Sequence, residues 1–193
     1  LLEKLAAFPP LGAPTGWHAR FGRELNATDD RDAFTTGPDG LPVVEGKHLA
    51  PFVVDLARCR LRIAEVEARR RLRHAGFARA RLAYRDVTSA ANRLPLIAAV
   101  LPAGVVTTHT VYCLRTPLDR ESQHFLCGML NSFVVNYVVR LQVGTHVTTA
   151  LVERLPVPRP DAEDPLFRIV ASAAMRLAAA PADHEAAARL QGA

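Results

Sequence analysis

The chain has 193 residues, of which 49% are hydrophobic, with 24 Lys and Arg against 19 Asp and Glu and a formal net charge of +5. That length suits one sizeable domain, or a domain with a trailing helical segment, and the hydrophobic share excludes wholesale disorder. No apolar run reaches the ~20 residues of a membrane helix, and Cys59, Cys113 and Cys127, an odd set without C-x-x-C spacing, exclude a disulfide framework and a cysteine-built zinc site.

The chain begins Leu1-Leu2-Glu3, with no Met and no basic, apolar leader, so a fragment of a larger polypeptide is expected; the cysteine usage sets a reducing, cytoplasmic setting as the expectation. Residues 1–16, rich in Pro and Gly, read as a linker from an upstream region. Trp17 to Leu25 is read as a short strand, followed by turn signals at Thr28-Asp29-Asp30 and Gly37-Pro38-Asp39-Gly40. Leu41 to Lys47 is read as a strand entering a glycine turn, and Asp55 to His74 as a helix ended by Gly76. Arg81 to Val87 alternates like a half-buried strand. Leu94–Leu101 and Val105–Leu114 are two β-branched runs, read as a hairpin or neighbouring strands joined at Pro102-Ala103-Gly104. Arg120 to Arg140 carries the strongest helical period. Val147–Arg154 is a further short element, and Leu155 to Pro160 is extended because its prolines forbid a helix. Pro165–Ala179 and His184–Leu190 read as closing helices, split at Pro181. The expected class is α+β, with central strands and hairpins surrounded by helices.

The charge is unevenly placed. Residues 58–85 hold ten arginines against Glu65 and Glu67, so this stretch carries an excess of eight positive charges and the rest of the chain is net acidic. Such a segment suits a polyanion, although 22 Arg against two Lys in an Ala-rich chain also fits genomic base-composition bias and a solvated helix face. No catalytic constellation accompanies it. There is no phosphate loop, H-E-x-x-H, EF-hand or G-x-S-x-G. The seven His residues (18, 48, 74, 109, 124, 146 and 184) are scattered and read as surface or core residues rather than metal ligands. Asp29, Asp30 and Asp32 read as a solvated turn or a helix cap.

Four stretches, taken together and in order, carry a resemblance. They are Gly22-Arg23-Glu24-Leu25-Asn26 with Thr28-Asp29-Asp30; Leu41-Pro42-Val43-Val44-Glu45-Gly46-Lys47-His48-Leu49-Ala50-Pro51-Phe52; Arg81-Leu82-Ala83-Tyr84-Arg85-Asp86-Val87 with Arg93 to Pro102 and His109-Thr110; and Phe125 to Ser132 with Tyr137-Val138-Val139-Arg140, ending in Leu155-Pro156-Val157-Pro158. In this order they resemble the target-recognition (specificity) domain of class I adenine-specific DNA methyltransferases, as found in type IIG restriction–modification enzymes and related phage-defence methylases. The match spans residues 17–160. It departs at Val44, where an aromatic is commoner, and in the more basic stretch 58–79.

The resemblance implies a module that chooses a DNA site while a catalytic domain elsewhere in the parent polypeptide methylates it. That domain binds S-adenosylmethionine and carries an Asn-Pro-Pro-Tyr-type motif, neither of which this chain provides for, so no enzymatic activity is expected of the chain itself; the family it resembles includes parents that also restrict DNA. Double-stranded DNA and the methyltransferase domain are the expected partners, with no membrane. The expected division is linker 1–16, recognition domain 17–160 and a helical segment 161–193. Arg bridges guanine O6 and N7, and Asn pairs with adenine N6 and N7. The base-reading candidates are therefore Arg23, Asn26, Lys47, His48, Arg85, Thr88, Ser89, Asn92 and Arg93, with the loop Thr88–Arg93 foremost. Arg69, Arg70, Arg71, Arg73, Arg79 and Arg81 are the phosphate candidates. Asn131-Ser132 reads as structural, Arg140 as a DNA contact or helix cap, and Trp17 and Tyr137 as core. The alternatives are a protein-interaction or scaffolding domain binding an acidic partner through the Arg-rich helix, and a small nuclease.

Overall fold

The computed structural model describes residues 2–72 and 76–179. In chain order they form a helix α1 (Leu2–Leu5); strands β1 (Phe21–Gly22), β2 (Phe34–Thr35), β3 (Leu41–Val44), β4 (Leu49–Ala50), β5 (Val53–Val54) and β6 (Arg62–Ile63); helix α2 (Glu65–Arg71); strands β7 (Arg81–Arg85), β8 (Ala98–Leu101), β9 (Val106–Thr107) and β10 (Val111–Leu114); and helices α3 (Arg120–Asn131), α4 (Phe133–Arg140), α5 (Thr149–Glu153) and α6 (Pro165–Ala179). The class is α+β.

The central sheet has the order β1-β10-β7-β8, antiparallel throughout. A second sheet, β2-β6-β3-β9, contains one parallel pair, β3 with β9. β4 and β5 form a hairpin whose Phe52 N–H donates to Ala98 O at the free edge of β8. The run 94–114 is thus no simple hairpin. β8 and β10 flank β7, and the chain past Gly104 crosses to the other sheet as β9 before returning.

β7 explains the layering. Its Leu82 and Tyr84 face a core built with α3 and α6, while Ala83 belongs to a second core with Val44, Val105 and Val111. Both faces are covered, so the alternation of polar and apolar residues does not mark a wet side. Arg81, a phosphate candidate, is 2% exposed. Its Nε and Nη2 donate to the Glu24 carboxylate at 3.0 and 2.8 Å, and Glu24 also accepts from the Thr107 N–H and hydroxyl at 2.8 and 3.1 Å. Arg81 is a tie between layers and presents nothing to a ligand surface.

The helical layer is bound by aromatic stacking and by side-chain amides. Phe125 of α3 stacks on Trp17 at 5.6 Å and on Phe167 of α6 at 5.0 Å. At Gly128 a Cβ would stand 2.8 Å from Val170 Cγ1, so the α3–α6 approach needs the missing side chain. Three amides then satisfy backbone groups where the ladders stop. Gln123 Oε1 accepts from Leu82 N–H at 2.7 Å, Asn136 Oδ1 from Leu96 N–H at 2.8 Å, and Asn131 Oδ1 from Ala98 N–H at 3.0 Å. Asn131 Nδ2 also donates to Ala98 O and Cys127 O. Replacing Asn131 by Ala is expected to cost about 2–3 kcal/mol, because a buried N–H loses its acceptor along with the other bonds; urea unfolding measures it, and a change below about 0.5 kcal/mol would mean that water or a rearranged chain replaces the amide.

Several expected elements differ. The helix read over 120–140 breaks at Ser132, which is extended (ψ 149°) and caps α4 by accepting Val135 N–H at 3.2 Å. The helix read over 55–74 is confined to α2, because Ile63 is claimed by pairing with Phe34 and Leu41; His74 lies outside the described residues, as does the helix read at 184–190. Trp17 is core as expected, but Tyr137 is 44% exposed. Residues read as a linker lie against the domain: Leu11 is fully buried, and the Leu11 and Gly12 N–H groups donate to Leu155 O and Glu153 O.

Candidate nucleic-acid interface

The arginines of α2 are spaced to pair with their own helix. Glu65 sits four residues before Arg69, and Glu67 three and four residues before Arg70 and Arg71, the separations at which helical side chains meet. The ion pairs form at 2.6, 2.6 and 2.5 Å. Arg71 reaches further and holds Asp30 at 2.8 Å and Asp32 at 2.7 Å, fixing the preceding turn. Hydrogen bonds from Arg70 and then Arg71 pull the Glu67 carboxyl down to about 2, and Arg71 likewise lowers that of Asp32. A depressed carboxylate stabilises the fold above its ordinary range, so this contribution is present at neutral pH and is lost as pH falls towards about 2. Arg71, 18% exposed as a side chain, is therefore committed to carboxylates, while Arg69 and Arg70 are paired within the helix but 53% and 71% exposed. Arg79 is exposed and donates to the Arg115 carbonyl at 3.2 Å. Arg73 lies outside the described residues.

The base-reading candidates fall into three groups. Arg23 Nη2 binds the buried Asp86 at 2.8 Å, its guanidinium lies 4.8 Å from the centre of the Tyr112 ring, and His146 Nδ1 approaches the same Asp86 at 3.2 Å. Asn26 closes a turn, accepting from Thr28 N–H at 2.9 Å. These two are held structurally.

The second group is the loop 88–93. Thr88 is buried and its hydroxyl accepts from Asn92 Nδ2 at 3.3 Å, Ser89 Oγ accepts from Ala91 N–H at 3.2 Å, and Arg93 lies 5.6 Å from the Phe133 ring centre. Arg140 fixes this loop from α4. Its Nε donates to Ala90 O at 3.0 Å, and its Nη2 to Asn92 O at 2.7 Å and Arg93 O at 2.8 Å. Its guanidinium thus holds neighbouring carbonyls from the end of its helix, a role the sequence reading missed. Arg140→Ala is expected to lower stability by only about 1 kcal/mol while raising amide hydrogen exchange at residues 89–93 alone; unchanged protection there would show that the loop is held by other contacts.

The third group surrounds two adjoining depressions. One, of 640 Å3, is lined by Thr36, Glu45, Lys47, His48, Arg58 and Arg60. The other, of 300 Å3, shares Glu45 and Lys47 and adds Gly46, Arg85, Val87 and Thr110. The short 3-10 turn Gly46–His48 forms the partition. His48 is buried, accepts Glu45 N–H on Nδ1 at 3.0 Å, and lies 3.4 Å from Cys59 Sγ. Desolvation lowers its pKa, so it stands as a neutral structural residue. Burial likewise raises the Cys59 thiol to about 11, which makes it a poor nucleophile. Lys47 pairs with Glu45 at 2.7 Å while remaining 65% exposed. Arg58 and Arg60 are exposed and have no acidic partner among the described residues, and neither does Arg85. Four cations thus face one carboxylate. Arg58 and Arg60 were not singled out in the sequence, yet a signal was there: unlike Arg69 to Arg71, Arg60 has no acidic residue three or four positions away, and Arg58 has only Asp55, whose carboxylate accepts the Arg58 backbone N–H at 3.3 Å.

Among the described residues no group of three or more His, Cys, Asp or Glu is placed to hold a metal ion, and no helix is long and apolar enough to cross a membrane. No family model and no curated protein matches the chain. Among solved structures it is similar to a chain of the type I R-M system, studied for complex assembly and conformational transition (15% identity, TM-score 0.45, covering 98% of this chain and 44% of that one). It is also similar to the HsdS subunit from Thermoanaerobacter tengcongensis (16% identity, TM-score 0.41, covering 97% of this chain and 43% of that one). The chain spans less than half the length of either, and neither likeness is close enough to assign an activity.

Proposed function

We propose that this chain is a sequence-specific DNA recognition module, and that the cleft framed by Lys47, Arg58 and Arg60 follows the phosphate backbone. The observation that carries this reading is the excess of cations around two adjoining depressions: Arg58, Arg60 and Arg85 have no acidic partner among the described residues, and the one carboxylate there, Glu45, is paired with Lys47. Phosphate contacts position a protein on the duplex, and groups nearby then read base edges. The fixed loop 88–93 supplies Ser89, Asn92 and Arg93 for that second task.

The four ordered stretches of the sequence support a finer reading. The chain serves an adenine-N6 methyltransferase of the type IIG or a related restriction–modification or phage-defence system, and a catalytic domain in the same parent polypeptide binds S-adenosylmethionine and does the chemistry. No glycine-rich turn between a strand and a helix occurs among the described residues, so no step involving that cofactor is assigned to them. Residues 17–160 are the recognition domain in this proposal, with α6 packed on α3 beyond it.

A protein-interaction domain is the second reading, favoured by Phe133 and Tyr137 of α4 and Leu141 at its C-terminal cap, which are 65%, 44% and 57% exposed. Fluorescence anisotropy with a labelled duplex of about 20 base pairs, competed by polyglutamate, separates the two. Duplex binding that survives an equal charge concentration of polyglutamate supports DNA recognition. Equal binding of both polyanions supports an acidic protein partner.

A further inference from the structure

Arg85 ends β7 on the same side as Arg81 and Ala83, but it meets no carboxylate. Its Nε is buried without a hydrogen-bond partner. Burial also lowers its pKa, the direction expected of a cation removed from water and not compensated. The side chain is held in place all the same. At Gly46 a Cβ would stand 2.9 Å from Arg85 Cγ and 3.1 Å from Thr110 O, so the backbone of the 3-10 turn lies directly on the arginine stem. The guanidinium is thereby fixed at the 300 Å3 depression, beside Glu45, Lys47, Val87 and Thr110.

A half-buried guanidinium lacking an acceptor disfavours the free chain, and a ligand offering acceptors relieves it. Three features describe that ligand. A fixed planar fork matches two coplanar acceptors better than a point charge. Val87 and the stems of Lys47 and Arg85 give the depression apolar walls, which suit a flat ring. The Glu45 carboxylate in the same depression, paired with Lys47 at 2.7 Å, keeps acceptor capacity for an amino group. A G·C pair presents this set in its major-groove edge: two acceptors on guanine and the amino donor of cytosine. We infer that Arg85 recognises the O6/N7 edge of a guanine in the bound DNA, with Glu45 turned to the amino group of the paired cytosine. The inference rests on the DNA-recognition reading above.

The test uses the full chain, its Arg85→Met and Arg85→Lys variants, and a random duplex pool whose retained fraction is sequenced. The enriched motif of the unsubstituted chain is expected to contain a guanine column that Arg85→Met loses and Arg85→Lys weakens. Substituting 7-deazaguanine at that column removes one acceptor. It is expected to weaken the unsubstituted chain about tenfold and Arg85→Met not at all, the range for one bidentate contact. In thermal unfolding without DNA, Arg85→Met is expected to be at least as stable as the unsubstituted chain, which a merely structural arginine would not allow. Uniform weakening with an unchanged motif would make Arg85 a phosphate contact and overturn the inference while leaving DNA recognition standing. An unsubstituted chain that retains no duplex would overturn the DNA reading and the guanine contact with it.

Discussion

Glu24→Ala is expected to be the most damaging single substitution in the central layers, lowering stability by about 3–5 kcal/mol in urea unfolding. Glu24 is fully buried as a side chain and accepts four hydrogen bonds, two from Arg81 and two from Thr107. Its removal leaves a guanidinium that is 3% exposed, and whose Nη1 already lacks a partner, without any counter-charge. Small domains have only about 5–15 kcal/mol in hand, so the loss approaches the whole. Most of the cost comes from the orphaned charge and a smaller part from the absent bonds. Glu24→Leu combined with Arg81→Met should therefore be more stable than Glu24→Ala alone, though short of the original because Thr107 N–H and Val105 O lose partners. A loss below about 1 kcal/mol for Glu24→Ala would mean that water reaches Arg81 and that the layers do not close over β7.

The second large effect concerns affinity. Alanine at Lys47, Arg58 and Arg60 together is expected to reduce duplex affinity by about one to two orders of magnitude at ~0.1 M salt, and to make the log–log salt dependence shallower by roughly 2.7, three contacts at about 0.9 each. The matched control is alanine at Arg69, Arg70 and Arg71. It removes the same formal charge from a part of the chain richer in arginine, yet its effect on affinity is expected to stay within about threefold, because Glu65, Glu67, Asp30 and Asp32 already occupy those guanidiniums. Equal losses from the two triple variants would place the backbone contact on net charge instead of on the cleft.

These two expectations mark where the sequence was readable. β7 was legible because Leu82 and Tyr84 alternate with residues of other character, and α6 because its apolar period runs unbroken between Pro165 and Ala179. The α3–α4 break was not, since Asn131-Ser132 lies in a continuous helical period and only the edge of β8 gives its amides a reason to be there. Arg81 was misplaced for the opposite cause. Alternation says which residues share a face, but not that the second face is covered as well, and Glu24, the partner that makes burial tolerable, lies 57 residues away. The site followed the same rule. Composition located the arginines in 58–85, but the phosphate candidates chosen among them included Arg69 to Arg71, which pair with Glu65 and Glu67 of their own helix, and left out Arg58 and Arg60. The meeting of residues 45–47 with Arg85 and Thr110 depends on β3, β7 and β10 coming together, which no local pattern encodes.

The central claim is that this chain selects a DNA sequence, and the most direct measurement is retention of a random duplex pool across a salt titration, followed by sequencing of the bound fraction. Binding at about 50 mM salt that falls steeply with added salt, together with one short enriched motif, is the expected result. Salt-sensitive retention without any enriched motif, or no retention at the lowest salt, would contradict it.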